Sequence, residues 1–181
     1  MKKFCICFGF VGLTILLAGV YGVVHDQITY SISPEYFTRF KYEQFGFEPA
    51  WFGGHRPTVA LIGLLATWWV GLFIGVIFGL LGLLLVARPV LVSTLFGAVR
   101  RAFGTTLVAG VIGYFYGRFV LAKTGVSWWL PDNLQQPADF ITVGAIHNFG
   151  YGGALVGLLA GVVYILQHRR PTQASLASRR S

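Results

Sequence analysis

An all-α membrane protein is the fold this sequence predicts: four transmembrane helices in a glycine-rich bundle, with a short interfacial helix in the first outer loop. Three observations predict it. The 181-residue chain is 55% hydrophobic and only 11% charged, where a soluble domain carries about 25% charged residues. Its charges stand at the ends of long apolar runs. Glycine is abundant, at 24 residues, and small residues let helices approach in lipid, where no hydrophobic force draws them together. A net charge of +8 would suggest nucleic acid if it formed a patch. Spread over the run ends, it reads as membrane topology and attraction to anionic headgroups, with no nucleic-acid partner.

The runs can be taken in order. The first extends from Phe4 to Val24, between Lys3 and His25; the second from Pro57 to Ala87; the third from Ala102 to Gly117; the fourth from Phe140 to Gln167. A hydrocarbon core of about 30 Å needs roughly 20 helical residues. The first, second and fourth runs meet that length outright. The third is short and spans if Arg100, Arg101 and Arg118 snorkel at its ends, with the apolar stretch Pro89 to Val99 extending its start. A re-entrant hairpin is the alternative there. The expected spans are therefore about 4–24, 58–87, 95–121 and 140–167, within a transmembrane domain of residues 1–168. Residues 169–181 form a basic, Ser-rich tail expected to be disordered.

The Lys-Lys start of the first run resembles a signal peptide, but Tyr21, Gly22, Val23 and Val24 make a poor small-residue cleavage site, so an uncleaved anchor is expected. Cys5 and Cys7 belong to no disulfide framework or zinc pattern and read as small apolar helix residues. With the N-terminus inside, Lys2, Lys3, Arg88, Arg100, Arg101, Arg169, Arg170, Arg179 and Arg180 are cytoplasmic, against Arg39, Lys41, Arg56, Arg118 and Lys123 outside. This bias puts both termini in the cytoplasm of an inner membrane.

Glycines recur on one face of three runs: Gly71, Gly75, Gly79 and Gly82; Gly113 and Gly117 with Ala109; Gly153, Gly157 and Gly161 with Gly150 and Ala154 beside them. Such stripes serve seams within the bundle or contacts between copies, and four helices already need seams. In the first outer loop, Ser33-Pro34-Glu35 has the order of a helix start: a capping hydroxyl, proline in the first turn and an acid near the helix N-terminus. Tyr36, Phe37 and Phe40 then share a face suited to the membrane interface. Trp128 and Trp129 suit the same level in the second outer loop.

Function has few places to reside. His147 is the ionisable residue within a run, about 10 Å from its outer end, with Asn148 next to it. His25 and Asp26 close the first span, His55 and Arg56 open the second, and Arg118 ends the third. A polar cluster of His25, Asp26, Glu35, Arg56, Arg118, His147 and Asn148 follows. Three uses stay open. The residues join helices structurally, as hydrogen-bonded intramembrane His and Asn often do. They relay protons or bind a cation. Or His25, His55 and His147 hold a metal ion with Asp26 or Glu35, although no defined zinc spacing is present. A paired-histidine haem site needs a second His inside a run, and the runs supply one only. No nucleophile elbow, HExxH helix or phosphate loop marks an enzyme, and no cofactor is implied.

The stretch His25-Asp26-Gln27-Ile28-Thr29-Tyr30-Ser31-Ile32-Ser33-Pro34-Glu35-Tyr36-Phe37, followed by a second span carrying Trp68, Trp69 and Gly71, resembles uncharacterised bacterial membrane proteins. That resemblance implies a bacterial cytoplasmic membrane and no particular activity. The resulting expectation is a non-enzymatic inner-membrane protein, structural or accessory to a larger assembly or homo-oligomer. The alternative is a small transporter or ion- or proton-handling protein built on the outer polar cluster.

Overall fold

The computed structural model describes residues 2–169. Four of its helices are long and apolar enough to cross a membrane: α1 (Lys2–Ile32), α3 (His55–Leu85), α4 (Arg88–Thr124) and α5 (Pro137–Gln167). A short helix, α2, occupies residues 34–45 between the first two. No named strand occurs among the described residues; Val86 and Arg169 form an isolated bridge. The tail expected over 169–181 lies, beyond Arg169, outside the described residues.

Two boundaries differ from those the runs suggest. α1 does not stop at Val24 but continues to Ile32, so His25 and Asp26 lie inside a helix. Polar residues can extend a span when a neighbouring helix supplies their partners, as α5 does here. α4 starts at Arg88, because Val86 and Ala87 alone connect it to α3 and Pro89 is well placed in a first helical turn. Arg100 and Arg101 therefore fall well inside the helix. Arg101 bends back to donate to the Gly97 carbonyl at 2.9 Å and lays its guanidinium over the Tyr164 ring at 3.6 Å.

The helices associate as two antiparallel pairs. α1 and α3 form one seam. A methyl group on Gly22 would run into the Gly63 carbonyl, and one on Gly63 into the Gly22 carbonyl. Gly71 lies against Thr14 and Ala18, and Gly75 against Thr14 and Val11. Thr67 donates its hydroxyl across this seam to the Ala18 carbonyl at 2.7 Å. α4 and α5 form the second seam: Gly113 and Gly117 meet Ala145 and Thr142, while Gly153 and Gly157 meet Thr105, Ala109 and Ala102. Lacking side chains, these glycines bring backbones close enough for dispersion to hold the pair. Gly79 makes only ordinary contacts, and Gly82 and Gly161 serve the contact between pairs, against Leu91 and Leu95 and against Phe78.

The pairs join at their two ends. Near the α3–α4 turn, Phe10, Phe78, Leu91, Leu95, Ala98 and Ile165 are buried together. At the other end α2 closes the bundle. Ser33 interrupts α1 and caps α2 by accepting from the Tyr36 amide at 3.3 Å. A wide π turn at Phe37–Lys41 follows, and Tyr36, Phe37 and Tyr42 become buried with Val59, Ile62, Phe140 and Val143. The helix anticipated in the first loop is thus present, but Tyr36 and Phe37, placed by sequence at the membrane surface, face the bundle.

The outward faces are apolar on all four long helices: Phe8, Phe73, Leu84, Phe119 and Leu155 are all exposed. Contiguous apolar exposure on this scale suits lipid, not water.

Candidate functional site

Between the two end cores, the helix pairs separate around a half-open chamber of about 310 Å³. Its wall is mostly aliphatic and aromatic, with Leu17, Val70, Ile74, Phe96, Phe103 and Ala154 among the contributors from all four long helices. The polar groups His25, Asp26 and His147 stand at the α2 end, while Arg100 lines the wall contributed by α4.

The local folding places these three side chains. Neighbours on a helix are about 100° apart, so Asp26 enters the bundle and is 4% exposed, while His25 curls back to meet it. His25 Nδ1 lies 3.0 Å from Asp26 Oδ1. His147 ends an unbroken buried stretch of α5 from Phe140, and its Nε2 lies 3.3 Å from the same oxygen. The two imidazoles meet edge to face, centroids 4.8 Å apart. Tyr36 stacks on His147 at 4.9 Å, and Tyr21 lies 5.3 Å from His25.

Hydrogen-bond chemistry constrains the charge here. His147 Nδ1 is 2.9 Å from the Val143 carbonyl. A carbonyl can only accept, so Nδ1 carries the hydrogen. In a neutral ring Nε2 is then a lone pair, facing a carboxylate oxygen that is also an acceptor. Two acceptors at this separation repel unless a positive centre lies between them, either a proton or a metal ion. His25 presents no such conflict, because its Nδ1–H can donate to Asp26 directly.

The loop helix adds a buried cation above the site. Lys41 is 6% exposed; its Nζ donates to Gln44 Oε1 at 2.9 Å and lies 5.2 Å from the centre of the Phe40 ring. Burial pushes its ammonium below the usual lysine range, and the negative charge of Asp26 pulls it part of the way back. Burial pushes the Tyr36 phenol above the usual tyrosine range, with smaller contributions from Tyr151 and Asp26.

Of the seven residues grouped from sequence, the structure brings three together. The other four act elsewhere. Glu35 accepts from the Gln135 and Gln136 amides at 2.9 and 2.7 Å, fastening α2 to the start of α5. Arg56 donates to the Gln27 carbonyl at 3.0 Å and to the Ser31 hydroxyl at 3.2 Å, and covers the Tyr30 ring. Arg118 pairs with Asp139. Asn148 is exposed. His55 meets the Tyr42 hydroxyl at 3.1 Å instead of joining the other histidines. Sequence reasoning missed Tyr21 and Tyr36 as neighbours of the site and missed the chamber altogether. Tyr36 lay in plain view within an aromatic face, but nothing local shows which way such a face turns.

No family model, curated protein or solved structure matches this chain.

Proposed function

We propose that this is a multi-pass protein of a bacterial cytoplasmic membrane, its termini inside, that handles a cation at an intramembrane centre formed by His25, Asp26 and His147. One observation carries the reading: a buried carboxylate is shared by two imidazoles at the head of a chamber, in an arrangement that needs a proton or a metal ion between His147 Nε2 and Asp26 Oδ1. The accessory role that the sequence favoured accounts for the glycine seams but not for this centre. Burying ionic groups costs several kcal/mol each, and well-packed apolar residues would join the helices at least as well. Intramembrane ionisable groups that face a cavity instead mark ion and proton paths. The bacterial inner-membrane assignment rests on the Lys/Arg bias and on the resemblance of the 25–37 segment; the glycine-rich packing fits that setting.

The test is flux. Purified protein would be reconstituted into liposomes, a membrane potential imposed, and internal proton and divalent-cation dyes followed. The expected result is potential-driven cation entry in the wild type and its loss in Asp26→Asn, with helicity and melting temperature retained. Equal flux from wild type and Asp26→Asn for every cation tried would refute the reading.

A further inference from the structure

Resting on that cation-handling reading, we infer that His25, Asp26 and His147 form a binding site for one divalent first-row transition-metal ion, with at least one coordination position open to the chamber. One ligand atom from each residue already lies within 4.8 Å of the others. Metal–ligand distances of about 2.0–2.2 Å put neighbouring ligand atoms on a shared ion roughly 2.8–3.6 Å apart, from octahedral to tetrahedral angles. Asp26 Oδ1 stands 3.0 Å from His25 Nδ1 and 3.3 Å from His147 Nε2, so two of the three separations are in place once His25 moves its ring hydrogen from Nδ1 to Nε2, as ligation demands. The third separation is no more than 4.8 Å, and ion binding requires it to shorten.

The surroundings of His147 match what a metal ligand needs. A ligating histidine commonly gives its other ring N–H to a carbonyl or carboxylate, which fixes both tautomer and ring direction. His147 Nδ1 does this with Val143 at 2.9 Å, and its Nε2 lone pair is thereby aimed at the carboxylate. Tyr36 holds the face of the ring. A metal ion would take the place of the proton that otherwise lies between Nε2 and Oδ1.

The donor set selects the ion. Two imidazole nitrogens and one carboxylate oxygen suit zinc, iron(II), cobalt(II) or manganese(II). Calcium takes six to eight oxygens and magnesium a near-ideal octahedron of oxygen ligands, which this site does not offer. Soft copper(I) prefers thiolate and thioether; Cys5 and Cys7 are on the same helix as His25 but near its opposite end. Three protein ligands leave a fourth position, and the chamber borders all three residues. One carboxylate against a divalent ion leaves a positive centre, so hydroxide or an anionic donor from the chamber would complete the shell.

The full chain, purified in mild detergent and stripped with a chelator, would be titrated with cobalt(II), with visible absorption and metal analysis as readouts. One cobalt per chain is expected, with the absorption of a nitrogen- and oxygen-ligated ion, and zinc should displace it. Asp26→Asn and His25→Ala should each weaken binding by more than the 10–100-fold typical of losing an outer-shell partner. Asn148→Ala, at the exposed neighbouring position, should bind as the wild type does. Should His147→Ala fail to fold, the His25 and Asp26 variants still decide the matter. Binding that survives both substitutions overturns the site. So does an absence of stoichiometric binding. If proton flux still depends on Asp26 in that case, the cation-handling reading stands and the metal alone falls; if it does not, both fall.

Discussion

Tyr36 lies nearly flat on the imidazole of His147, ring centroids 4.9 Å apart and planes inclined by 24°. The contact links the loop helix to the middle of the polar centre and shields one face of the histidine. Tyr36 also touches Phe140 at 5.0 Å and Phe40 at 5.4 Å. Tyr36→Ala should therefore cost about 3 kcal/mol or more, as large aromatic truncations in a core do, and should expose the α2 end of the chamber. Tyr36→Phe keeps the ring and should be close to neutral. Thermal unfolding in detergent would separate the two; equal destabilisation by both would place the effect in the hydroxyl rather than the ring.

The seam glycines and the chamber glycine should respond oppositely to a methyl group. At Gly22 and Gly63 the added carbon meets the other strand of backbone across the seam, which cannot retreat without separating the helices. Overpacking of this kind costs about 1–3 kcal/mol. At Gly150, which lines the chamber, nothing lies within 4 Å of the new carbon. There the better helix propensity of alanine, up to about 1 kcal/mol, meets no opposing clash. Melting temperature should fall for Gly22→Ala and Gly63→Ala and hold or rise for Gly150→Ala. A fall at Gly150 matching the others would contradict the seam assignment.

Lys41 gives a pH-dependent signature. Its folded-state pKa is depressed by burial, so the fold favours the neutral amine and the charged form is a liability at neutral pH. That liability disappears as pH rises from the depressed value towards the ordinary lysine range, where the unfolded chain also loses its proton. Lys41→Met should stabilise the protein at pH 7, and the advantage should shrink by pH 10. A difference that grows with pH would mean the hydrogen bond to Gln44 and the ring contacts outweigh the burial cost.

The four long helices were legible because lipid is a permissive solvent: apolar runs of sufficient length admit few alternatives. The ends were not. Val24 looked like the end of a span because His25 and Asp26 follow it, and only a partner on α5, 121 residues away, makes it possible to carry Asp26 further inside. Arg100 and Arg101 marked a boundary for the same reason, yet Arg101 is accommodated by Tyr164 and its own helix. The glycine periodicities showed where close approach was possible, but not that Gly82 and Gly161 join the pairs while Gly71 and Gly75 join α1 to α3. The polar centre was half legible. His147 stood out within its run and Asp26 was named with it, whereas Arg56 and Arg118 found partners nearer in the chain and Glu35 found the start of α5. Pairings between distant helices leave no trace in a single sequence.

Backbone against backbone within each pair, and mainly side-chain contacts between them, give the molecule unequal stiffness. Parting α1 from α3, or α4 from α5, would strip close contacts along a whole seam. Tilting one pair against the other would disturb the two end clusters, Gly82 and Gly161, the Asp26–His147 contact and the Tyr21–Phe103 ring contact. The bundle therefore has one compliant direction, and it runs across the chamber. A ligand that widens or narrows that space moves two rigid bodies rather than four separate helices, and spin labels placed across the chamber should report a broader spread of distances than labels placed across either seam.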